Sequence, residues 1–287
     1  MNRTTIVIII ALLGAVLSWC GPGFANTTRD IGEQTKLDMK QTARWVIFYT
    51  NIERVDRGLE PLVYNPQLEK AAFWQAEYCS RKGYLTHSAN ETGMKNPGDR
   101  IRKFGGEWWT YGENITIQFA LNMSRKSYSR YSDEKGEYVD FGNHTVFWLN
   151  ERQMGNTMVT SWMNSSGHRA NIMNSAFRSI GAGVHPGTYS GHSSYYGCQV
   201  FADNTKWDFT KLLVQTTTAI GKTTHTITFN GPLPVHVIEM IENNDIRVLK
   251  TASAGTACLF EKPSTGKWFY ACLYDKEIDT LYPVKAL

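Results

Sequence analysis

Residues 37–57 carry apolar side chains at Leu37, Val46, Ile47, Tyr49 and Ile52 among charged ones. This spacing predicts a helix that ends at Gly58. A second helix is expected to open at Asn65-Pro66, with the asparagine as cap and the proline in the first turn, where its missing N–H is not needed. Leu68, Ala71, Ala72, Gln75, Tyr78 and Cys79 line one face of it, and Gly83 closes it. Residues 84–110 are turn-rich, and residues 111–121 read as the start of another helix. Residues 122–155 are polar and read as an inserted loop or hairpin. Met158, Val159, Trp162 and Met163 make a short helix. Residues 180–184 and 195–202 alternate as two paired strands joined by a Gly- and Ser-rich loop.

After Trp207 the helical period disappears. "THTITFNGPLPVHVIEMIE" and "DIRVLKT" read as strands, and "TACLFEKPSTGKWFYACLYD" as a hairpin turning at Thr265. Such a hairpin would set Cys258 opposite Cys272, where Cα atoms approach to about 4.5 Å, within disulfide reach.

The first residues change the picture. Arg3 precedes an apolar run over residues 6–17, and Gly23-Phe24-Ala25 offers a small-residue cleavage site. Residues 1–25 are therefore expected to be a secretory leader cut after Ala25. The run falls short of the about 20 residues of a spanning helix. No later stretch is long and apolar enough, so no transmembrane segment is expected in the mature chain. Cleavage also removes Cys20. Cys79, Cys198, Cys258 and Cys272 remain, an even number outside the cell, which reads as two disulfides. If Cys258 pairs with Cys272, Cys79 is left for Cys198; three connectivities are open to four cysteines.

With 42% hydrophobic and 13% aromatic residues the chain can build a real core. Its formal charge of +4 drops by one with Arg3. That is too weak, and too little clustered, to point to nucleic acid.

Five stretches carry the most specific signal: "NIERVDRGLEPLVYNPQLEKAA", "GYLTHSANETGMKNPGDRIRKFGG", "YGENI", "SWMNSSGHRANIMNSAFRSIGAGV" and "YYGCQVFAD". In this order they resemble the CAP superfamily of cysteine-rich secretory proteins, venom allergens and pathogenesis-related proteins. The likeness is greater to its bacterial-type branch. It covers residues 37–207 and does not extend to 212–287, which are expected to form a small β-rich C-terminal domain. It implies an α+β fold, a three-layer α-β-α sandwich, with a central cleft lined by two histidines and up to two glutamates. Matching block to block puts His87 and His168 in the histidine positions and Glu113 in the first glutamate position. The second glutamate is missing: Asn164, Ser165 and Ser166 stand where it should be.

The residue types allow a chemistry of their own. Two neutral imidazoles, here His87 and His168, can hold zinc or another divalent cation, each ring aimed by a hydrogen bond on its other nitrogen. Glu113 can orient a histidine or act as a base. Catalytic zinc usually takes three protein ligands, so two make a weak site. Other conspicuous residues have plainer readings. Arg54 is expected to tie the first helix to a carboxylate, and Arg169 to be solvated. The Trp108-Trp109 pair belongs to core or cleft rim, and His185 and His192 to an exposed loop.

The resemblance implies a secreted, non-enzymatic module for extracellular or cell-surface interaction, with lipid or sterol binding in some members. The alternative is a secreted hydrolase, metal-assisted or of the serine type, using His87, Glu113 and His168. A third reading gives the work to residues 212–287, where Trp268, Phe269, Tyr270 and Tyr274 could offer an exposed aromatic face to carbohydrate.

Overall fold

The computed structural model describes residues 36–122, 146–203, 212–219, 222–241, 245–263 and 267–287, and the backbone of 130–132 and 137–139. The expected leader, residues 1–25, lies outside them.

Helix α1 (Met39–Val55) begins where the Asp38 side chain accepts from the Gln41 amide. Just beyond its end, Gly58 has a positive φ of 75°. Strand β1 (Val63–Tyr64) follows. Helix α2 (Pro66–Lys82) has the expected ends: Asn65 accepts from the amides of Gln67 and Leu68, and Gly83 caps it in the left-handed conformation. The short helix α3 (Pro97–Lys103) stands in the turn-rich stretch, opened by Asn96 and Asp99 in a capping box.

Residues 111–119 are a strand, β2 (Tyr111–Phe119), not the start of a helix. Tyr111, Ile115 and Ile117 alternate toward one face of it, and Ile115-Thr116-Ile117 is a β-branched run that favours pleated backbone. In the inserted segment, read as a loop or hairpin, β3 (Arg130–Ser132) pairs antiparallel with β4 (Glu137–Val139). Helices α4 (Glu151–Met163) and α5 (Ser166–Ile172) follow. Strands β5 (Ser179–Tyr189) and β6 (His192–Ala202) then pair antiparallel, as their alternation predicted.

The first sheet runs β1-β5-β6-β2, with β1 parallel to β5 and the others antiparallel. Helix α2 packs on one face; α1, α4 and α5 lie on the other. This is the three-layer sandwich. Strand β6 reads out both layers: Tyr195 and Phe201 belong to the core under α1 and α4, while Cys198, Val200 and Ala202 belong to the core under α2. A strand covered on both faces is buried at nearly every position, and β6 is. Helix α2 approaches β5 so closely that a Cβ on Gly183 would lie 2.2 Å from the Phe73 amide nitrogen. Glycine is what lets helix and strand pack at this distance.

The C-terminal region adds β7 (Leu212–Ala219), β8 (Lys222–Phe229), β9 (Val235–Ile241), β10 (Asp245–Ala252), β11 (Cys258–Lys262), β12 (Trp268–Asp275) and β13 (Thr280–Ala286). They form two antiparallel sheets, β10-β9-β12-β13 and β11-β8-β7. The expected β11–β12 hairpin does not form: β11 pairs with β8, and β12 lies between β9 and β13. Its turn at Thr265 falls outside the described residues. Cys258 therefore stands opposite Ile227, and Cys272 opposite His236 and Pro283. The basis for a Cys258–Cys272 bridge is gone.

The Cys79–Cys198 bridge is absent as well: all four cysteines are free and buried. The Cys79 thiol instead reaches the Thr86 carbonyl at 3.5 Å and the Gln75 amide at 3.4 Å. Burial pushes the Cys79 thiol up to about 11 and Cys198 well above its ordinary value, which leaves both protonated and poorly reactive.

One continuous apolar cluster joins the C-terminal sheets to α1. Tyr270 donates to both Asp56 carboxylate oxygens, at 3.0 and 3.1 Å. Arg44 sits at the junction of three parts: it pairs with Glu69 of α2 at 2.6 Å, lies over the Tyr64 ring at 4.2 Å, and donates from Nε to the Ile278 carbonyl at 3.1 Å.

Candidate functional site

Edge strand β2 is the spine of the site. The side chain at 113 points to the α2 layer, where its neighbours Tyr111 and Ile115 also point. The side chain at 114 points to the other layer, toward α5. The loop after α2 brings His87 up on the first side, and α5 brings His168 on the second.

Glu113 is held at both oxygens. His87 Nδ1 lies 2.8 Å from Oε1, and Arg100 donates to Oε2 at 2.5 Å. Arg100 is fully buried and also donates to the His87 carbonyl from both terminal nitrogens, each at 3.3 Å, and to the Met94 carbonyl at 3.0 Å. A single guanidinium thus clamps the carboxylate and the backbone of the histidine bonded to it. Burial alone would raise the Glu113 pKa; the Arg100 charge and the His87 hydrogen bond outweigh it and hold the carboxyl below its usual range. An ionised carboxylate only accepts, so Nδ1 of His87 donates the proton in this hydrogen bond.

Across the strand, the Asn114 amide donates to the His168 carbonyl at 3.1 Å and to Gln199 Oε1 at 3.2 Å. Asn171 donates to Asn114 Oδ1 at 2.9 Å and to the Glu113 carbonyl at 3.3 Å, and Gln199 donates to Thr50 Oγ1 at 2.5 Å. This buried amide chain fixes α5, and with it His168, against β2 and α1. Burial first, and the His87 charge second, lower the His168 pKa. His87 and Glu113 are therefore in direct contact, and His168 is tied to the same strand through the Asn114 amide on its carbonyl.

The residues that hold them there, Arg100, Asn114, Asn171 and Gln199, carry no distinctive pattern in the chain. Arg100 lies among three other basic positions near α3, and only its burial sets it apart. Arg54 binds carbonyls rather than the expected carboxylate: Glu60, Ile172 and Asn174, at 2.8, 2.7 and 3.0 Å. Trp108 is buried against Tyr111, and Trp109 is 64% exposed. Arg169 is exposed and donates to the Met163 carbonyl at 2.9 Å.

The donor set does not fit a resident catalytic metal. Both Glu113 oxygens are taken, one by the Arg100 guanidinium and one by the His87 ring. Among the described residues no three His, Cys, Asp or Glu side chains come together as ligands. Among those residues no serine hydroxyl hydrogen-bonds either imidazole, and the described bond of the His87 ring goes to Glu113.

A separate hollow opens over β5, between the start of α1 and the outer face of α2. It measures about 370 Å³ and is walled mainly by Met39, Ala43, Phe73, Trp74, Phe104 and Val184, with Lys40, Lys70, Glu69 and Glu77 also lining it. Phe73 is 40% exposed there, a large apolar side chain facing open space.

The profile of the Cysteine-rich secretory protein family, CAP, matches residues 47–201, more than half of the chain. The Bacillus subtilis "Uncharacterized protein YkwD" is 30% identical over 138 residues, 48% of this chain and 40% of the relative. The "Uncharacterized membrane protein YlbC" of the same organism is 24% identical over 152 residues, 53% of this chain and 34% of the relative. The chain spans less than half the length of either curated relative. Among solved structures, an extracellular protein containing a SCP domain from Bacillus anthracis is 21% identical with a TM-score of 0.39, over 58% of this chain and 41% of that one.

Proposed function

Because the chain belongs to the Cysteine-rich secretory protein (CAP) family over residues 47–201, we propose that it works outside the cytoplasm as a binding protein for a lipid or sterol, not as an enzyme. The observation that carries the reading is the apolar hollow of about 370 Å³ walled by Phe73, Trp74 and Phe104, which lies within the usual range of small-molecule sites. Lys40 and Lys70 are matched there by Glu69 and Glu77, so the lining selects no headgroup charge, and the lipid chain would lie on the aromatic wall. The leader expected at residues 1–25 supports export.

The cleft at β2 supports the non-enzymatic reading. A general base must be free to take a proton, and Glu113 is held ionised between Arg100 and His87. A hydrolase built on His87, Glu113 and His168 has no nucleophile in hydrogen-bond reach among the described residues. A divalent ion held by His87 and His168 alone would be weakly bound and exchangeable.

Displacement of a fluorescent fatty acid from the purified protein tests the reading. Binding by the wild type, and its loss in Phe73→Asp, are the expected results. Phe73 is 40% exposed, and an unchanged circular dichroism spectrum checks that the variant keeps its fold. Equal binding by both proteins, or none by the wild type, rejects the groove as the site.

A further inference from the structure

A second pair of hollows lies on the seam between α1 and the C-terminal sheets, away from both the β2 cleft and the apolar groove. One, of about 390 Å³, is bounded by the start of α4 and Asp245; the other, of about 130 Å³, by Tyr274 and Asp279. Both are lined by Gln41 and Trp45 of α1, so the indole is a wall common to the two. We propose that this seam binds a neutral oligosaccharide.

Trp45 is rigidly placed. Phe48 meets its ring edge-on at 5.4 Å, and the Arg152 guanidinium lies over it at 4.7 Å. On its backbone side α4 approaches so closely that a Cβ on Gly155 would lie 2.7 Å from the Trp45 Cβ. A planar wall held this way suits the C–H face of a sugar ring.

The groups around the wall suit hydroxyls. Asn150 and Gln153 cap α4 through one atom each, Oδ1 to the Gln153 amide and Oε1 to the Asn150 amide. Their side-chain NH2 groups, and the whole side-chain amide of Gln41, have no hydrogen-bond partner among the described residues. Glu151 spends one carboxylate oxygen on the Asp38 amide, and Asp279 one on the Tyr274 hydroxyl, which leaves an acceptor on each. Arg152 pairs with Asp245. Its Nε is buried with no partner, a donor whose desolvation is uncompensated.

This set argues against the other small-ligand classes. The carboxylates Glu151, Asp245 and Asp279 outnumber the two guanidiniums, Arg44 paired with Glu69 and Arg152 with Asp245, so an anion is repelled. The larger hollow is more polar than apolar, unlike the Phe73 groove, so a lipid chain gains little there. What remains is an uncharged ligand dense in hydroxyls, with donors and acceptors to match on the wall. The site needs both parts of the chain, because α1 and α4 give the amides and the aromatic wall while β10 and β13 close the far side.

The test is the 1H–15N resonance of the Trp45 indole in the full chain, titrated with cellotetraose, maltotetraose and chitotetraose, and with inorganic phosphate as the charged control. At least one tetrasaccharide is expected to shift it with a millimolar or tighter dissociation constant, and Gln41→Ala and Asp245→Asn each to weaken that binding by about tenfold. Both positions are solvent-reached, and unchanged spectra elsewhere report an intact fold. The proposal is overturned if no tetrasaccharide moves the resonance, if phosphate alone moves it, or if both variants bind as the wild type does.

Discussion

His87 Nδ1 and Glu113 Oε1 stand 2.8 Å apart, and the second oxygen of the same carboxylate is taken by Arg100, a residue with no solvent exposure. A buried ion pair of this kind is costly to break, because either charge left alone is uncompensated. Glu113→Gln is expected to cost about 3–5 kcal/mol of unfolding free energy, measured by urea titration at neutral pH. The sign with pH follows from the lowered carboxyl pKa. The folded state favours the ionised form, so the stabilisation is complete above the ordinary carboxylate range and is lost as pH falls through the folded value. Acid unfolding should therefore be less steep in the variant. A loss under about 1 kcal/mol would mean that the pair is idle.

His168 responds to acid with its own signature. Burial, then the His87 charge, lowers its pKa. Below about 6.5 the unfolded chain takes up this proton before the folded one does, so stability falls as pH falls through that window. His168→Gln is expected to flatten that part of the stability curve. In the NMR titration of the wild type, the His168 ring should titrate below a free imidazole. His87→Asn should bring it part of the way back, burial keeping the remainder. An unshifted His168 in the wild type would show that the two rings do not share a site.

Gly183 sets the distance between α2 and β5. Gly183→Ala would place its Cβ 2.2 Å from the Phe73 amide nitrogen, and the obstacle is backbone, not a side chain that can swing aside. The expected cost is at least about 1–3 kcal/mol, read as a lowered thermal midpoint. Since Phe73 walls the apolar groove, fatty-acid binding should weaken together with stability. A variant as stable as the wild type would mean that helix and strand can separate freely.

The metal content of the protein bears on the cleft. With Glu113 committed to Arg100 and His87, dialysed protein is expected to hold zinc well below one ion per chain, by elemental mass spectrometry. One tightly held ion per chain, lost in His87→Ala, would contradict this donor set.

The readable parts of the fold were those with local causes. Asn65, Pro66 and Gly83 mark the ends of α2 through hydrogen bonds and dihedrals within a few residues. The stretch at 111–119 misled because Glu113 interrupts the period of two that Tyr111, Ile115 and Ile117 keep, and its buried polar positions Glu113, Asn114 and Thr116 find their partners only in the folded chain. Cys258 and Cys272 stand at equal distances from an apparent turn, yet strand pairing is decided by the core: β11 brings Phe260 inward beside β8, and β12 fills the centre of the other sheet. In the site, the His87–Glu113 contact joins two residues that their motifs had singled out. Arg100, Asn114, Asn171 and Gln199 were not legible, because a buried polar network is defined by what surrounds each side chain in space. Neither were the Phe73 groove and the Trp45 seam, since both are assembled from elements distant in the chain.

Native mass spectrometry of the purified protein, comparing wild type, Phe73→Asp and the double variant His87→Ala/His168→Ala, separates the groove from the cleft most directly. Lipid adducts on the wild type and on the imidazole variant, with none on Phe73→Asp, are the expected outcome. Adducts that vanish with the imidazoles and persist in Phe73→Asp would place ligand recognition at β2 and contradict a lipid site in the Phe73 groove.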